Sequence, residues 1–245
     1  MSKLIAFHGD KKIKAKYQRR LTQHHKMDQI IQRIGYEREG NRGCAVGCTL
    51  NKYDHKAYET ELGVPQSLAK LEDKIFENLP RKEAPDFAVN FLKSIPVGAD
   101  LQFVTPSFVA WLMQEILDRP RKKELPAYVK DAILLVQGLC SKQASGEKSL
   151  KTWQEVRDVT YKVRRDAAAY TYTYADAAYA ADAAYAADAA YAAAYAAADA
   201  ADAYAAADAA DAAYAAARKE FWKRSASKLL ELLAAAPIPV QEVTE

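Results

Sequence analysis

Residues 67–80, SLAKLEDKIFENLP, indicate why this chain is expected to fold as helices. The apolar side chains of this stretch recur at steps of three and four residues, namely Leu68, Leu71, Ile75 and Leu79. That spacing places them on one face of an α-helix. Ser67 is a favoured residue at a helix N-terminus, and Pro80 prevents the helix from continuing. The stretch therefore predicts an amphipathic helix with one buried face.

The sequence before this stretch predicts two more helices. A stripe of apolar residues that includes one histidine defines the first of them: Ile13, Tyr17, Leu21, His24, Ile31 and Ile34. Gly35 ends that helix, and residues 35–43 are expected to form a charged loop. Asp54 is a good N-cap for a second, short helix, which Gly63 ends.

The sequence after the opening stretch predicts three helices with short connections. Two of their buried faces consist of Phe87, Phe91 and Ile95, and of Val109, Leu112 and Ile116. Thr105 followed by Pro106 marks the start of the second of these helices, because proline suits the first helical turn. The third helix is expected over residues 128–139, with a polar loop over residues 141–148.

The C-terminal part of the sequence is dominated by alanine. From about residue 151 to residue 236 it contains neither Gly nor Pro, and alanine has the highest helix propensity. A DAAYAA hexad alternates Asp and Tyr every three residues from Asp176 to Tyr191. Because a three-residue step falls about 60° short of a full helical turn, these side chains wind around the helix. The tract is therefore expected to be helical without a coiled-coil seam, with a break near residues 170–174.

Charge divides the chain at nearly the same place. Residues 1–165 carry 30 Lys and Arg against 20 Asp and Glu, whereas residues 166–217 carry eight Asp and no basic residue. The sequence predicts three parts: a basic helical globular domain over residues 1–150, an Ala/Tyr/Asp-rich helical region over residues 151–236, and a tail over residues 237–245.

The expected fold class is all-α, with an N-terminal helical domain followed by long alanine-rich helices. No segment shows the alternation of apolar and polar residues that is typical of a sheet, although residues 4–7, 45–50 and 101–104 could each form a short strand. The end of the alanine-rich region has the pattern of a helix that packs on a core, with Phe221, Trp222, Leu229, Leu230, Leu232 and Leu233.

The composition favours a cytoplasmic protein. The N-terminal residues lack the apolar stretch and the cleavage site of a secretory signal. Asp interrupts the alanine tract every few residues, so no run of about 18 apolar residues exists and no membrane partner is expected. The three cysteines, Cys44, Cys48 and Cys140, are too few and odd in number for a disulfide scaffold, and we expect them to be reduced.

All four histidines lie within the first 55 residues, beside two cysteines and several acids. These groups titrate near neutrality or bind transition metals. The candidate catalytic residues are His8, Asp10, Cys44 and His55. The candidate ligand-binding residues are His24, Arg42, Gly43, Gly47, Cys48, Asp54 and Glu59. A single C-x3-C pair is not a standard zinc motif, so the sequence leaves both metal binding and any cofactor open.

Two kinds of chemistry fit these candidates. Cys44 or Cys48 could act as a thiolate nucleophile with His8, His24 or His55 as the base. Alternatively, the backbone N–H groups of residues 43–47 could bind a phosphate together with basic side chains drawn from Lys11, Lys12, Arg38 and Arg42. Residues 1–43 hold eleven basic and four acidic residues, a balance that favours an anionic ligand.

Each candidate also has a structural interpretation. His24 lies on the apolar stripe of the first helix and could belong to the core. Cys44 and Cys48 could be small buried residues in a glycine-rich segment. Asp54 could serve only as a helix cap, and Glu59 could be a solvated helix residue.

Several segments resemble a family of hypothetical proteins from bacterial and phage genomes. The resemblance covers roughly the first hundred residues, in FHGDKKIKAKY, GCAVGCTL, DHKAYETELGVP, LEDKIFE and IPVGADL. It is most specific in GCAVGCTL followed by DHxxYExELGxP. Relatives also end in alanine-rich helices, often with Arg and Trp at the interruptions, where this chain has Asp and Tyr. The resemblance implies an origin and no particular activity.

The sequence favours a cytoplasmic binding protein or enzyme for a small anionic ligand, such as a nucleotide. A phage-encoded protein that acts on a host molecule would fit this description. The alternative is a protein–protein interaction or structural module that associates with itself or a partner through its alanine-rich helices. Nucleic acid is disfavoured as a partner, because the basic residues are not interleaved with aromatic ones. The sequence does not decide whether the protein is an enzyme.

Overall fold

The computed structural model describes residues 4–118, 125, 127–147 and 211–239. The chain forms two compact units, of which the first comprises residues 1–104 and 222–245 and the second residues 105–221. The C-terminal end of the alanine-rich region, from residue 222, belongs to the same unit as the N-terminal residues.

The described residues contain eight α-helices and one pair of very short strands. The helices are α1 (Lys11–Lys26), α2 (Ala45–Leu50), α3 (Ala57–Leu62), α4 (Gln66–Asn78), α5 (Ala84–Ser94), α6 (Val104–Asp118), α7 (Ala127–Ala144) and α8 (Asp211–Ala234). The strands β1 (Tyr36–Glu37) and β2 (Arg42–Gly43) pair antiparallel. A short 3-10 helix, Ala6–Gly9, precedes α1. The expectation of a predominantly helical fold is confirmed.

The hydrophobic core of the first unit lies between α1, α2, α4 and α5. Helix α1 packs against α2 and α5, and α4 packs against the same two helices. Leu21 from α1, Leu68 and Ile75 from α4, and Phe91 from α5 are fully buried. In this arrangement the first turn of α2 lies next to the side of α4 that borders the core.

Helix α1 is shorter than the sequence predicts. Its stripe of Tyr17, Leu21 and His24 is buried as expected, but the helix ends at Lys26. Ile31 and Ile34, which were assigned to the same stripe, are 36% and 37% exposed. Asp28 and Arg33 have positive φ angles, so the chain turns repeatedly where a continuous helix was expected.

The segment from residue 35 to residue 50 also differs from the prediction. Part of the expected charged loop forms the β1–β2 hairpin, and residues 45–50, one of the three possible strands, form helix α2. The other two possible strands are absent as well, since Ala6–Gly9 is a 3-10 helix and α6 begins at Val104. Helix α2 is too short for its periodicity to be recognised in the sequence.

Helices α3 and α4 follow the predicted pattern closely. Asp54 Oδ1 accepts a hydrogen bond from Ala57 N at the start of α3, and Gly63 ends α3 with a φ of 63°. Helix α4 begins at Gln66, one residue before the predicted cap Ser67. Its first N–H group is bonded instead by Glu59 Oε1, at 3.0 Å from Gln66 N. The apolar stripe of α4 is buried as predicted: Leu68, Leu71, Ile75 and Leu79.

The second unit contains α6 and α7. Val109 and Leu112 are buried in α6 as predicted, and the helix begins one residue before Thr105. Helix α7 extends to Ala144, so residues 141–144 are helical and were wrongly assigned to a loop. No helix in the described ranges is both long enough and apolar enough to cross a membrane.

Only the last part of the alanine-rich region falls within the described residues. Helix α8 covers it from Asp211 to Ala234, and the expected core residues Phe221, Trp222, Leu229 and Leu233 are buried. The Asp/Tyr hexad and the expected break near residues 170–174 lie outside the described residues.

Candidate metal centre

Three side chains with metal-binding atoms converge between α2 and α4. One ligand atom from each of Cys44, Asp73 and Glu77 lies within 4.8 Å of the other two. We call this set the thiol–carboxylate cluster. Cys44 is fully buried, and the Asp73 side chain is 14% exposed. The cluster therefore combines one sulfur and two carboxylate donors at a place that water reaches poorly.

Helix geometry places the two carboxylates side by side. Asp73 and Glu77 are four residues apart in α4, and residues at that spacing lie on the same helix face. Their face is next to the buried stripe of Leu68, Leu71 and Ile75, so both carboxylates sit at the edge of the core.

Two glycines position the cysteine. The backbone N–H of Cys44 donates to the Gly35 carbonyl oxygen at 2.7 Å, which holds the cysteine at the N-terminus of α2. A Cβ atom on either Gly43 or Gly47 would overlap that same carbonyl oxygen. The glycines of the GCAVG motif therefore allow the loop at Gly35 to press directly against α2.

Each carboxylate is satisfied on one oxygen and unsatisfied on the other. Asp73 Oδ2 accepts a hydrogen bond from the Tyr53 hydroxyl at 2.9 Å and lies 3.1 Å from His55 Nε2. Glu77 Oε1 accepts from the backbone N–H of Arg33 at 3.0 Å. Asp73 Oδ1 and Glu77 Oε2 are buried and have no hydrogen-bond partner among the described residues. A buried oxygen without a partner is costly, by about 1–3 kcal/mol or more when charged.

The acidic groups of the cluster have raised pKa values. Burial raises the pKa of the Cys44 thiol, and the charge of Asp73 raises it further. Burial also raises the pKa of Glu77; the hydrogen bond from the Arg33 N–H opposes this rise, and the charge of Asp73 adds a smaller rise. Both groups are thus shifted toward their protonated forms, as expected of acidic groups that share a buried site.

A third carboxyl group, that of Glu72, adjoins Asp73 in α4. Glu72 is fully buried, and its Oε2 accepts a hydrogen bond from the Tyr58 hydroxyl at 2.8 Å. Burial raises the pKa of Glu72 well above its ordinary value, and Asp73 raises it further. The Glu72 side chain therefore favours the neutral acid and does not offset the charge of its neighbour.

Of the candidate catalytic residues, the structure brings together Cys44 and His55. Both lie close to Asp73: the Cys44 sulfur is within 4.8 Å of a carboxylate oxygen, and His55 Nε2 is 3.1 Å from Oδ2. His8 and Asp10 lie elsewhere. His8 Nε2 bonds the Thr60 carbonyl oxygen at 3.1 Å, and Asp10 Oδ1 caps α1 by accepting from Lys12 N at 2.7 Å.

The buried candidate ligand-binding residues have internal partners. His24 is bonded at both ring nitrogens, to Gln29 Oε1 at 2.8 Å and Asn51 Oδ1 at 3.2 Å. The Cys48 thiol donates to the carbonyl oxygens of Gly43 and Gln29, at 3.3 Å and 3.4 Å. Both residues are buried in the core of the first unit.

The exposed and half-buried candidates stabilise local structure. Arg42 pairs with Glu37 across the β1–β2 hairpin, while Asp54 and Glu59 bond the first N–H groups of α3 and α4. The backbone N–H of Gly43 donates to Gln29, and that of Gly47 points to Cys44 Sγ at 3.4 Å. These N–H groups have partners within the protein, which does not favour the phosphate site predicted there.

Sequence reasoning missed three residues of the site: Tyr53, Asp73 and Glu77. A usable signal was present in LEDKIFE, because two acids at a spacing of four must share one face of the predicted helix. Tyr53 carries no such signal. It follows the left-handed residue Asn51, with a φ of 56°, and its position depends on how the chain turns after α2.

Fold and site together define a class: a helical protein with a buried cluster of mixed sulfur and oxygen donors. Comparisons of the chain with protein-family models, with curated proteins and with solved structures find no match.

Proposed function

We propose that this protein binds a divalent metal ion at the thiol–carboxylate cluster of Cys44, Asp73 and Glu77. One observation carries the proposal: each carboxylate has one oxygen held by a protein donor and one buried oxygen that no described residue bonds. A cation between these oxygens and the thiol would satisfy both and offset the negative charge of the site.

The spacing of the donors suits a metal ion. A tetrahedral zinc ion, with bonds of about 2.3 Å to sulfur and about 2.1 Å to oxygen, separates its ligand atoms by about 3.6 Å. The donor atoms here lie within 4.8 Å of one another, so small side-chain rotations are enough to bring them to that separation.

The outer contacts of Asp73 also support the proposal. Tyr53 and His55 both engage Oδ2, which fixes the carboxylate and leaves Oδ1 for an ion. Ligating carboxylates are commonly held by such outer hydrogen bonds, whose removal weakens metal binding about 10–100-fold. His55 therefore acts as a positioning residue in this proposal.

The cluster favours the binding of a cation over the two chemistries that the sequence suggested, which are catalysis by a cysteine thiolate and binding of a phosphate. A reactive cysteine needs positively charged or polar surroundings that stabilise its thiolate, whereas Cys44 is fully buried beside two carboxylates. An anionic ligand would be repelled by the same carboxylates. The small anionic ligand expected from the basic residues of the chain remains a prediction for another part of its surface.

Calorimetric titration of the full-length protein, freed of metal with a chelator, tests the proposal. The titrants are Zn²⁺, Mn²⁺, Mg²⁺ and Ca²⁺ in separate experiments. We expect one ion to bind per chain, and binding at 100 times the dissociation constant to stabilise the fold by about 2.7 kcal/mol in thermal denaturation. Asp73→Asn and Glu77→Gln should abolish binding, and His55→Ala should weaken it about 10–100-fold.

Two variants provide matched controls. Cys48→Ser changes a buried cysteine of the same helix whose thiol bonds carbonyl oxygens outside the cluster. Glu59→Gln changes a half-buried glutamate that caps α4 at its other end. Both should keep the wild-type affinity. The proposal is wrong if no dication binds, or if the control variants lose binding as completely as Asp73→Asn and Glu77→Gln.

A further inference from the structure

The donor types of the cluster discriminate between classes of metal ion. Mg²⁺ and Ca²⁺ take oxygen ligands, six or more of them, and do not favour sulfur. Zn²⁺ and similar transition-metal dications accept thiolate, imidazole and carboxylate together. Because Cys44 Sγ is one of three converging donors, the set matches the second class better than the first.

The number of donors distinguishes two kinds of site. A structural zinc site is closed by four protein ligands, whereas a catalytic one has three and leaves a position to an exogenous ligand. Among the described residues, three side chains offer atoms within 4.8 Å of one another. The nearby imidazole of His55 faces Asp73 Oδ2 at 3.1 Å and is engaged there as an outer contact.

The side chains that contact Asp73 Oδ2 are closer to solvent than Cys44. Tyr53 is 54% exposed and packs edge-on against His55, with ring centroids 4.9 Å apart. The His55 side chain is 17% exposed, whereas Cys44 is fully buried. An exogenous ligand would therefore reach the cluster most directly past Tyr53 and His55.

On the basis of the proposed function, we infer that the ion is a transition-metal dication of the Zn²⁺ class with one coordination position open beside Tyr53 and His55. The open position takes a neutral donor, such as water or a nitrogen or carbonyl ligand. A bound ion displaces the protons of its ligands, and the three negative charges of Cys44, Asp73 and Glu77 then already outweigh the charge of the ion. An ion held this way can polarise a bound substrate, which a closed structural site cannot.

Cobalt substitution of the full-length protein tests this inference, because Co²⁺ adopts zinc sites and has a visible spectrum. We expect Co²⁺ binding to give a near-ultraviolet sulfur-to-metal charge-transfer band. Cys44→Ser should lose that band and bind at least tenfold more weakly, whereas Cys48→Ser should keep it. Circular dichroism of each variant establishes that it is folded, and competition of Zn²⁺ against Mg²⁺ in the wild type gives the metal preference without any substitution.

Imidazole, a neutral exogenous ligand, tests the open position. Added to the Co²⁺ protein, it should change the visible bands in a saturable way, and it should do so in Cys48→Ser as well. Unchanged bands would show a closed site and overturn the inference. Binding of Mg²⁺ or Ca²⁺ in preference to Zn²⁺ and Co²⁺ would overturn it too, while leaving the proposed function intact. If no dication binds at all, both fail together.

Discussion

At the scale of single residues, glycine has a specific role in the first unit. Gly47 lies in the middle of helix α2, where glycine normally weakens a helix. It is required there because the Gly35 carbonyl oxygen, which accepts the Cys44 N–H, occupies the space of its missing side chain. The local cost in helix stability is therefore offset by a close contact that holds the cluster cysteine.

Gly47→Ala should destabilise the protein. The added methyl group overlaps backbone, not the end of a flexible side chain, so either α2 or the loop at Gly35 must move. We expect a loss of about 1–3 kcal/mol in the free energy of unfolding, measured by urea denaturation.

Gly138→Ala is the matched control for this substitution. Gly138 lies within helix α7, and a Cβ atom there meets nothing within 4 Å. Alanine should therefore stabilise the protein by about 0.5–1 kcal/mol. Equal effects of the two substitutions would contradict the close contact at Gly47.

At the scale of elements, carboxylates have two different structural roles in neighbouring helices. Asp10, Asp54 and Glu59 bond the first N–H groups of α1, α3 and α4. Asp73 and Glu77 lie in the second half of α4, away from its N-terminus. Acids at helix starts stabilise the fold, while Asp73 and Glu77 each keep one buried oxygen without a hydrogen-bond partner among the described residues.

The Asp10→Ala substitution distinguishes the role of a helix cap from that of a metal ligand. It removes the acceptor of the Lys12 N–H and should cost about 0.5–2 kcal/mol in unfolding free energy. Calorimetric titration should show unchanged metal affinity. Asp10→Asn, which retains a capping oxygen, should recover most of the stability. Loss of metal binding in the folded Asp10→Ala variant would contradict the assignment of Asp10 as a helix cap. It would instead indicate that Asp10 belongs to the metal site.

At the scale of the whole molecule, the side chain of every cysteine is buried. Cys44 and Cys48 in the first unit and Cys140 in the second are free thiols with no exposed surface. Burial raises the pKa of all three, that of Cys48 and Cys140 to about 12. The three thiols are protected by packing, and their reduced state stays a prediction.

Thiol titration checks this protection. In the folded, chelator-treated protein we expect no rapid reaction with a thiol reagent, and three reactive thiols after denaturation without reductant. Met27→Cys, at a position that is 64% exposed, should add one rapidly reacting thiol and serves as the control. A single thiol in the denatured wild type would reveal a disulfide.

The sequence by itself determined the class of fold and the faces of the helices. The three- and four-residue spacing of Leu68, Leu71 and Ile75 forces one face inward, because a helix has a fixed period. Asp54 and Gly63 likewise mark the ends of α3, since capping depends on residues that are close in sequence. Two of the five residues of the candidate site, Cys44 and His55, were also recognisable from the chemistry of their side chains.

Only the tertiary structure decided which of these groups meet. Cys44, His55 and Asp73 are brought together by the packing of α2 and the following turn against α4, and nothing in the local sequence specifies that contact. Other tertiary contacts assigned His8, His24 and Cys48 to hydrogen bonds within the protein. Helix periodicity is a local property of the chain, whereas a site of this kind depends on contacts between residues far apart in sequence.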